Sequence, residues 1–95
     1  TANRYKMKDE DWRELEQFLD VTQNLFVHRL REQFPQLSED DLRLLMLLRL
    51  RMPAKVLADI YGIAEKSVKQ NLFLFKKKVG LEGRCQSLRS FVEQF

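Results

Sequence analysis

Apolar residues recur along this chain at three- and four-residue intervals, the period of helices packed by one face, and no stretch alternates as a strand would. Trp12, Leu15, Phe18 and Leu19 predict a first helix over about 8–20, with Asp9, Glu10 and Asp11 at its start, where negative charge suits the helix dipole. Thr22 is the expected cap of a second helix that lines up Leu25, Phe26, Leu30 and Phe34 and stops at Pro35. Ser38 followed by Asp41 is a capping-box arrangement, and Leu37 and Leu42 stand where a hydrophobic staple would. That third helix, running to about residue 51, is apolar nearly all round, so it should be the central strut.

The second half is punctuated by proline and glycine. Pro53 suits a helix start, and a short helix over 53–61 buries Val56, Leu57 and Ile60 until Gly62 stops it. Ile63 is expected to turn inward. A further helix spans about 65–79 and closes at Gly80, and a last one over 84–94 carries Leu88, Phe91, Val92 and Phe95. Small Ala58 in the middle of the short helix lets a crossing helix come close. With Val68 and Leu72 facing back into the core, the stretch PAKVLADIYGIAEKSVKQNLFLFKKKVGL has helix-turn-helix spacing.

The exposed side of the helix at 65–79 supplies the candidate chemistry. Lys66, Ser67, Lys69, Gln70 and Asn71 cluster at the end that a recognition helix presents to base edges. Lysine can donate to guanine O6 and N7, and Gln and Asn can pair with adenine. Ser67 and the helix N-terminus can hold a phosphate. Lys76, Lys77 and Lys78 suit backbone contacts, or simply a solvated helix end that complements the dipole.

Charge sharpens this picture. The net charge of +3 hides an uneven distribution. Residues 1–41 carry six basic and ten acidic side chains, and residues 42–89 carry eleven basic and three acidic. A basic half beside an acidic one is the footprint of a polyanion-binding surface on a supporting element, though ordinary solvated faces would look similar. Ninety-five residues bound one small domain with a single core. The longest apolar run, 44–48, is too short to span a bilayer, so no membrane contact is expected. The start at Thr1 rather than Met reads as a fragment or a processed chain, with a basic, frayed lead-in over 1–8. The lone Cys85 forms no internal disulfide, fits a cytoplasmic setting and is expected half-buried on a helix. His28 has no Cys or His partner, and no metal site, cofactor loop or nucleophile–base pair is evident, so an enzyme is not expected.

The segment LSEDDLRLLMLLRLRMPAKVLADIYGIAEKSVKQNLFLFKKKVGLEGRCQSL resembles the four-helix LuxR-type (GerE-type) DNA-binding domain. Leu37-Ser38 match its capped first helix and Lys55-Val56-Leu57-Ala58 its scaffold helix. Ala64-Glu65-Lys66-Ser67-Val68-Lys69 match its recognition helix, and Lys78-Val79-Gly80 match the exit from it. The resemblance covers 37 to about 92. Trp12, Phe18, Phe26, Leu30 and Phe34-Pro35-Gln36-Leu37 resemble the helical lead-in that precedes such domains in large bacterial sensor-regulators. It implies an all-α fold: a helix-turn-helix domain over 37–95, preceded by two N-terminal helices in a lead-in over 1–36 that packs on the core. It also implies the output domain of a bacterial transcriptional regulator, acting on double-stranded DNA as a homodimer, with an upstream sensor region outside this chain. By position, Lys55 and Ser67 would touch phosphates, Lys69 and Gln70 would face bases with Lys66 and Asn71 beside them, and Lys77 would lie along the backbone. The family's last helix serves dimerisation, which places Arg84, Ser87, Leu88 and Phe91 at that interface.

Four positions depart from the family pattern: Val56 replaces a glutamate, Ala64 replaces a capping serine, and Phe73-Leu74 stand where a polar, groove-facing pair is common. Four consecutive apolar residues, 72–75, cannot all face one core. Cover by the N-terminal helices is the expected answer, with contact between Phe73 and a thymine methyl as the alternative. The same run, with the acidic N-terminal segment, supports a second functional reading: a helix-turn-helix turned to protein interaction or dimerisation.

Overall fold

The central element is the one that the pattern makes apolar on every side. A computed structural model describes residues 7–95, so most of the expected lead-in over 1–8 lies outside the described residues. Six α-helices form: α1 (Asp9–Thr22), α2 (Phe26–Gln33), α3 (Glu39–Arg49), α4 (Ala54–Tyr61), α5 (Glu65–Phe75) and α6 (Leu88–Gln94). A 3-10 turn, Lys76–Val79, follows α5 directly, and the described residues contain no strand. Helix α3 packs against α1, α2 and α6, while α4 packs chiefly on α5. Leu42, Leu45, Met46, Leu47 and Leu48 of α3 are all buried, and one continuous apolar core takes residues from all six helices.

Local chemistry explains most boundaries. The Ser38 hydroxyl accepts from the Asp41 N–H at 3.1 Å, and the Asp41 carboxylate accepts from the Ser38 N–H at 3.0 Å, so the capping box forms as expected. The C-terminus of α3 ends in a Schellman motif: the Arg51 N–H donates to the Leu48 carbonyl and the Met52 N–H to that of Leu47. Arg51 takes the left-handed conformation there (φ 62°), a place usually filled by glycine. Gly62 and Gly80 end α4 and the 3-10 turn as expected, at φ 66° and 80°.

The α1–α2 corner differs from expectation. Thr22 ends α1, its hydroxyl bonded back to the Phe18 carbonyl at 2.7 Å, and does not cap α2. Asn24 and Leu25 both turn left-handed, and the Asp20 carboxylate accepts from the Val27 and His28 N–H groups at 2.8 and 3.3 Å. An acid reaching across the corner thus does the capping, which leaves Leu25 outside the buried face with Phe18 and Val21.

Two arginines tie this corner to the C-terminal helix. Arg29 donates to the carbonyls of Gln23, Asn24 and Phe95, and Arg49 donates to those of Val92 and Glu93 and to the Gln23 side chain. Each guanidinium also lies over an aromatic ring, Arg29 on Phe95 at 4.9 Å and Arg49 on Phe26 at 5.0 Å. Edge-to-face contacts of Phe26 with Phe95 and of Phe34 with Phe91, both near 6 Å, complete the join between α2 and α6. Among the described residues no helix is long and apolar enough to cross a membrane.

Candidate functional site

Helix α5 divides cleanly by face. Val68 and Phe75 are buried and Leu72 is partly buried, packed on α4, on the 3-10 turn and on the end of α6. On the opposite side, Lys66, Gln70, Phe73 and Lys77 follow each other at intervals of four, three and four residues, so they form one exposed stripe. Lys69 flanks it, exposed and paired with Glu65 at 3.8 Å, one helical turn back. An exposed pair at that spacing contributes only about 0.3–0.5 kcal/mol, so it leaves Lys69 available to a stronger anion. Ala64 provides no side-chain cap, and the first turn of α5 begins uncapped beside Lys66 and half-buried Ser67.

The expected site residues fall into two groups around this stripe. Lys66, Lys69, Gln70 and Lys77 share or border it. Asn71 is exposed on the flank that faces Asp40 of α3 and Tyr61 of α4, away from Gln70. Lys55 is exposed near the start of α4. Ile63, expected inward, is instead exposed at the mouth of the shallow cleft between α3, α4 and α5.

The basic run 76–78 separates into three fates. Lys76 is 9% exposed, and its ammonium donates to the Arg84 carbonyl at 2.6 Å. Lys78 donates to the Asp41 carboxylate at 2.8 Å and lies over the Phe75 ring. Only Lys77 is exposed without a hydrogen bond or ion pair among the described residues. Burial pushes the Asp41 carboxyl upward, but the Lys78 ammonium and the Ser38 N–H outweigh it and hold the group below its ordinary value. The sequence could not separate these lysines, because their partners lie up to 37 residues away.

Helix α5 is shorter than the expected 65–79, since the backbone tightens into the 3-10 turn at Lys76. Phe73 and Leu74, expected to be covered by the N-terminal helices, are 69% and 56% exposed. Those helices pack instead on α3 and α6, on the far side of the core.

The expected dimer set also changes. Helix α6 begins at Leu88, not Arg84, with the Ser87 hydroxyl accepting from the Ser90 N–H at 3.1 Å as its cap. Leu88 is 2% exposed, spent on this chain's own core, and partly buried Phe91 packs against Phe34 and Phe95. Arg84 and Ser87 are exposed in the segment before α6. Cys85 sits in that same non-helical segment, exposed rather than half-buried on a helix. A surface groove of about 670 Å³ between α2 and α6 contains none of the expected DNA-contacting residues. Compared with protein families, with curated proteins and with solved structures, the chain matches none.

Proposed function

We propose that this chain is a sequence-specific DNA-binding module of the LuxR-type helix-turn-helix kind, the output domain of a bacterial transcriptional regulator and a binding unit rather than an enzyme. One observation carries the reading: α5 is anchored by Val68, Leu72 and Phe75 while Lys66, Lys69, Gln70 and Lys77 stand open on the other side. In this reading α4 is the scaffold, Gly62 makes the turn, and α5 enters the major groove. Lys69 and Gln70 read base edges, with Lys66 beside them, while Asn71 stands on the flank toward α3 and α4. Lys55, Ser67 and Lys77 hold phosphates. The module acts in the cytoplasm, under an upstream sensor and as a homodimer on DNA, with exposed Arg84 and Ser87 and partly exposed Phe91 available to the second copy.

Selection of bound sequences from a random duplex pool, at stated salt, tests the reading. Lys55→Ala and Lys77→Ala are each expected to lower the salt slope of binding by about one unit while leaving the preferred sequence unchanged. Lys69→Ala with Gln70→Ala is expected to relax base preference, at about 1–3 kcal/mol per lost contact. Selection unchanged in that double variant would remove the assigned reading face.

A second reading has its own support. Phe18 and Val21 on α1 and Leu25 at the α1–α2 corner are exposed large apolar residues, of the kind that meets another protein. Weak binding to duplex DNA that does not respond to salt would favour protein interaction as the main role.

A further inference from the structure

Phe73 is a large apolar ring in the middle of a basic stripe. Packing does not explain it, because neither α1 nor α2 covers it. Along the stripe, Gln70 and Lys69 lie three and four residues before it and Lys77 four residues after it. The two grooves that flank the ring, of about 590 and 370 Å³, carry Lys69, Lys77, Arg84 and Arg89 in their walls against a single acid, Glu82. An occupant of this surface must therefore be polyanionic and must also offer an apolar group at the level of the ring.

The ring is also held in place. The Lys76 ammonium lies 5.4 Å from the Phe73 ring centre, and the same ammonium is fixed by its bond to the Arg84 carbonyl. A nearly buried lysine is costly unless its charge is partnered. Here the carbonyl and the ring face share that charge, and the ring's freedom falls as a result. An exposed aromatic fixed before its partner arrives loses less entropy on binding than a free one.

We propose that Phe73 reads thymine: presented from the open face of α5, its ring contacts the C5-methyl group of a thymine in the major groove. The methyl group is the one apolar feature of the major-groove edge of a base pair. This inference rests on the DNA-binding reading above and adds to it a named base and the residue that selects it. Lys76 is a positioning residue that acts through the Phe73 ring.

The test uses the full chain and the best site from the random pool. Each thymine in that site is replaced in turn by deoxyuridine, which keeps every hydrogen-bonding group and lacks only the methyl. At one or two positions the parent chain is expected to bind about fourfold more weakly, the worth of one buried methyl. Phe73→Ala should bind the thymine site more weakly and lose that discrimination. Lys69→Ala, which removes a neighbouring contact, should keep it. Lys76→Met should reduce discrimination without abolishing binding. Phe73 is exposed, so its replacement leaves the core intact, and a matching helical circular-dichroism spectrum checks this. A parent chain that binds its selected site yet ignores every methyl would overturn the inference alone, as would a Phe73→Ala chain that keeps the full response. A chain that selects no site at all would overturn the DNA-binding reading and this inference with it.

Discussion

At the scale of single residues, backbone conformation and partnered charge decide what each position tolerates. Gly62 lies at φ 66°, and a Cβ added there would meet nothing within 4 Å. The cost of a side chain is therefore conformational alone, and Gly62→Ala should destabilise by about 1 kcal/mol, read from the urea midpoint at unchanged m-value. This glycine was legible because only its residue type makes that turn cheap. Asn24, Leu25 and Arg51 adopt similar angles without glycine, and local composition carries no mark of them. Those of Asn24 and Leu25 follow from longer-range partners, Asp20 across the corner and Arg29 on the carbonyls of Gln23 and Asn24, whereas Arg51 is set by the Schellman bonds that end α3. Asp41 gives a pH prediction. Its folded carboxyl is held below the ordinary value, so the stabilisation it brings is complete above about pH 4 and is lost as pH falls through the lowered folded value. Lys78→Met removes the ammonium and leaves only the Ser38 bonds to oppose burial. The variant should be less stable than the parent at neutral pH, by under about 1 kcal/mol because Lys78 is half exposed, and the two should converge near pH 2. Urea midpoints at both pH values check it, and a constant difference across that range would contradict it.

Among the helices, the ends that were readable are those set by neighbours three or four residues away. The Ser38–Asp41 box and the central, all-round apolar character of α3 follow directly from such spacing. The start of α2 did not, since it depends on Asp20, while the start of α6 falls at the local Ser87–Ser90 cap, four residues later than expected. Helix α5 shows a related effect. Four apolar residues in a row suggested cover from another element, yet Phe26 and Phe34 pack on Phe95 and Phe91, on the far side of the core, and Phe73 and Leu74 stay open. The uncapped start of α5 offers a clean test. Ala64→Ser supplies the missing acceptor and should stabilise by about 0.5–1 kcal/mol, measured by thermal or urea unfolding. No gain would mean that the first turn of α5 is already satisfied by solvent at little cost.

Across the whole molecule, the division at residue 37 into a lead-in and a second unit is weaker than the order of elements along the chain suggests. Phe26 and Phe34 complete an aromatic cluster with Phe91 and Phe95, and Arg29 and Arg49 connect the α1–α2 corner to α6. A fragment covering 37–95 keeps α3 to α6 but strips those partners. It should lose the cooperative urea transition of the longer chain and expose enough apolar surface to bind a hydrophobic dye. A fragment that unfolds cooperatively, with stability near that of the parent, would show that the join adds little. The grip itself has an asymmetric consequence. Both guanidinium groups hold α6 by main-chain oxygens, which every amino acid supplies. The side chains at 93 and 94 are thus free to drift over evolutionary time without loosening the clasp, whereas neither arginine can be exchanged, even for lysine, without giving up its forked geometry.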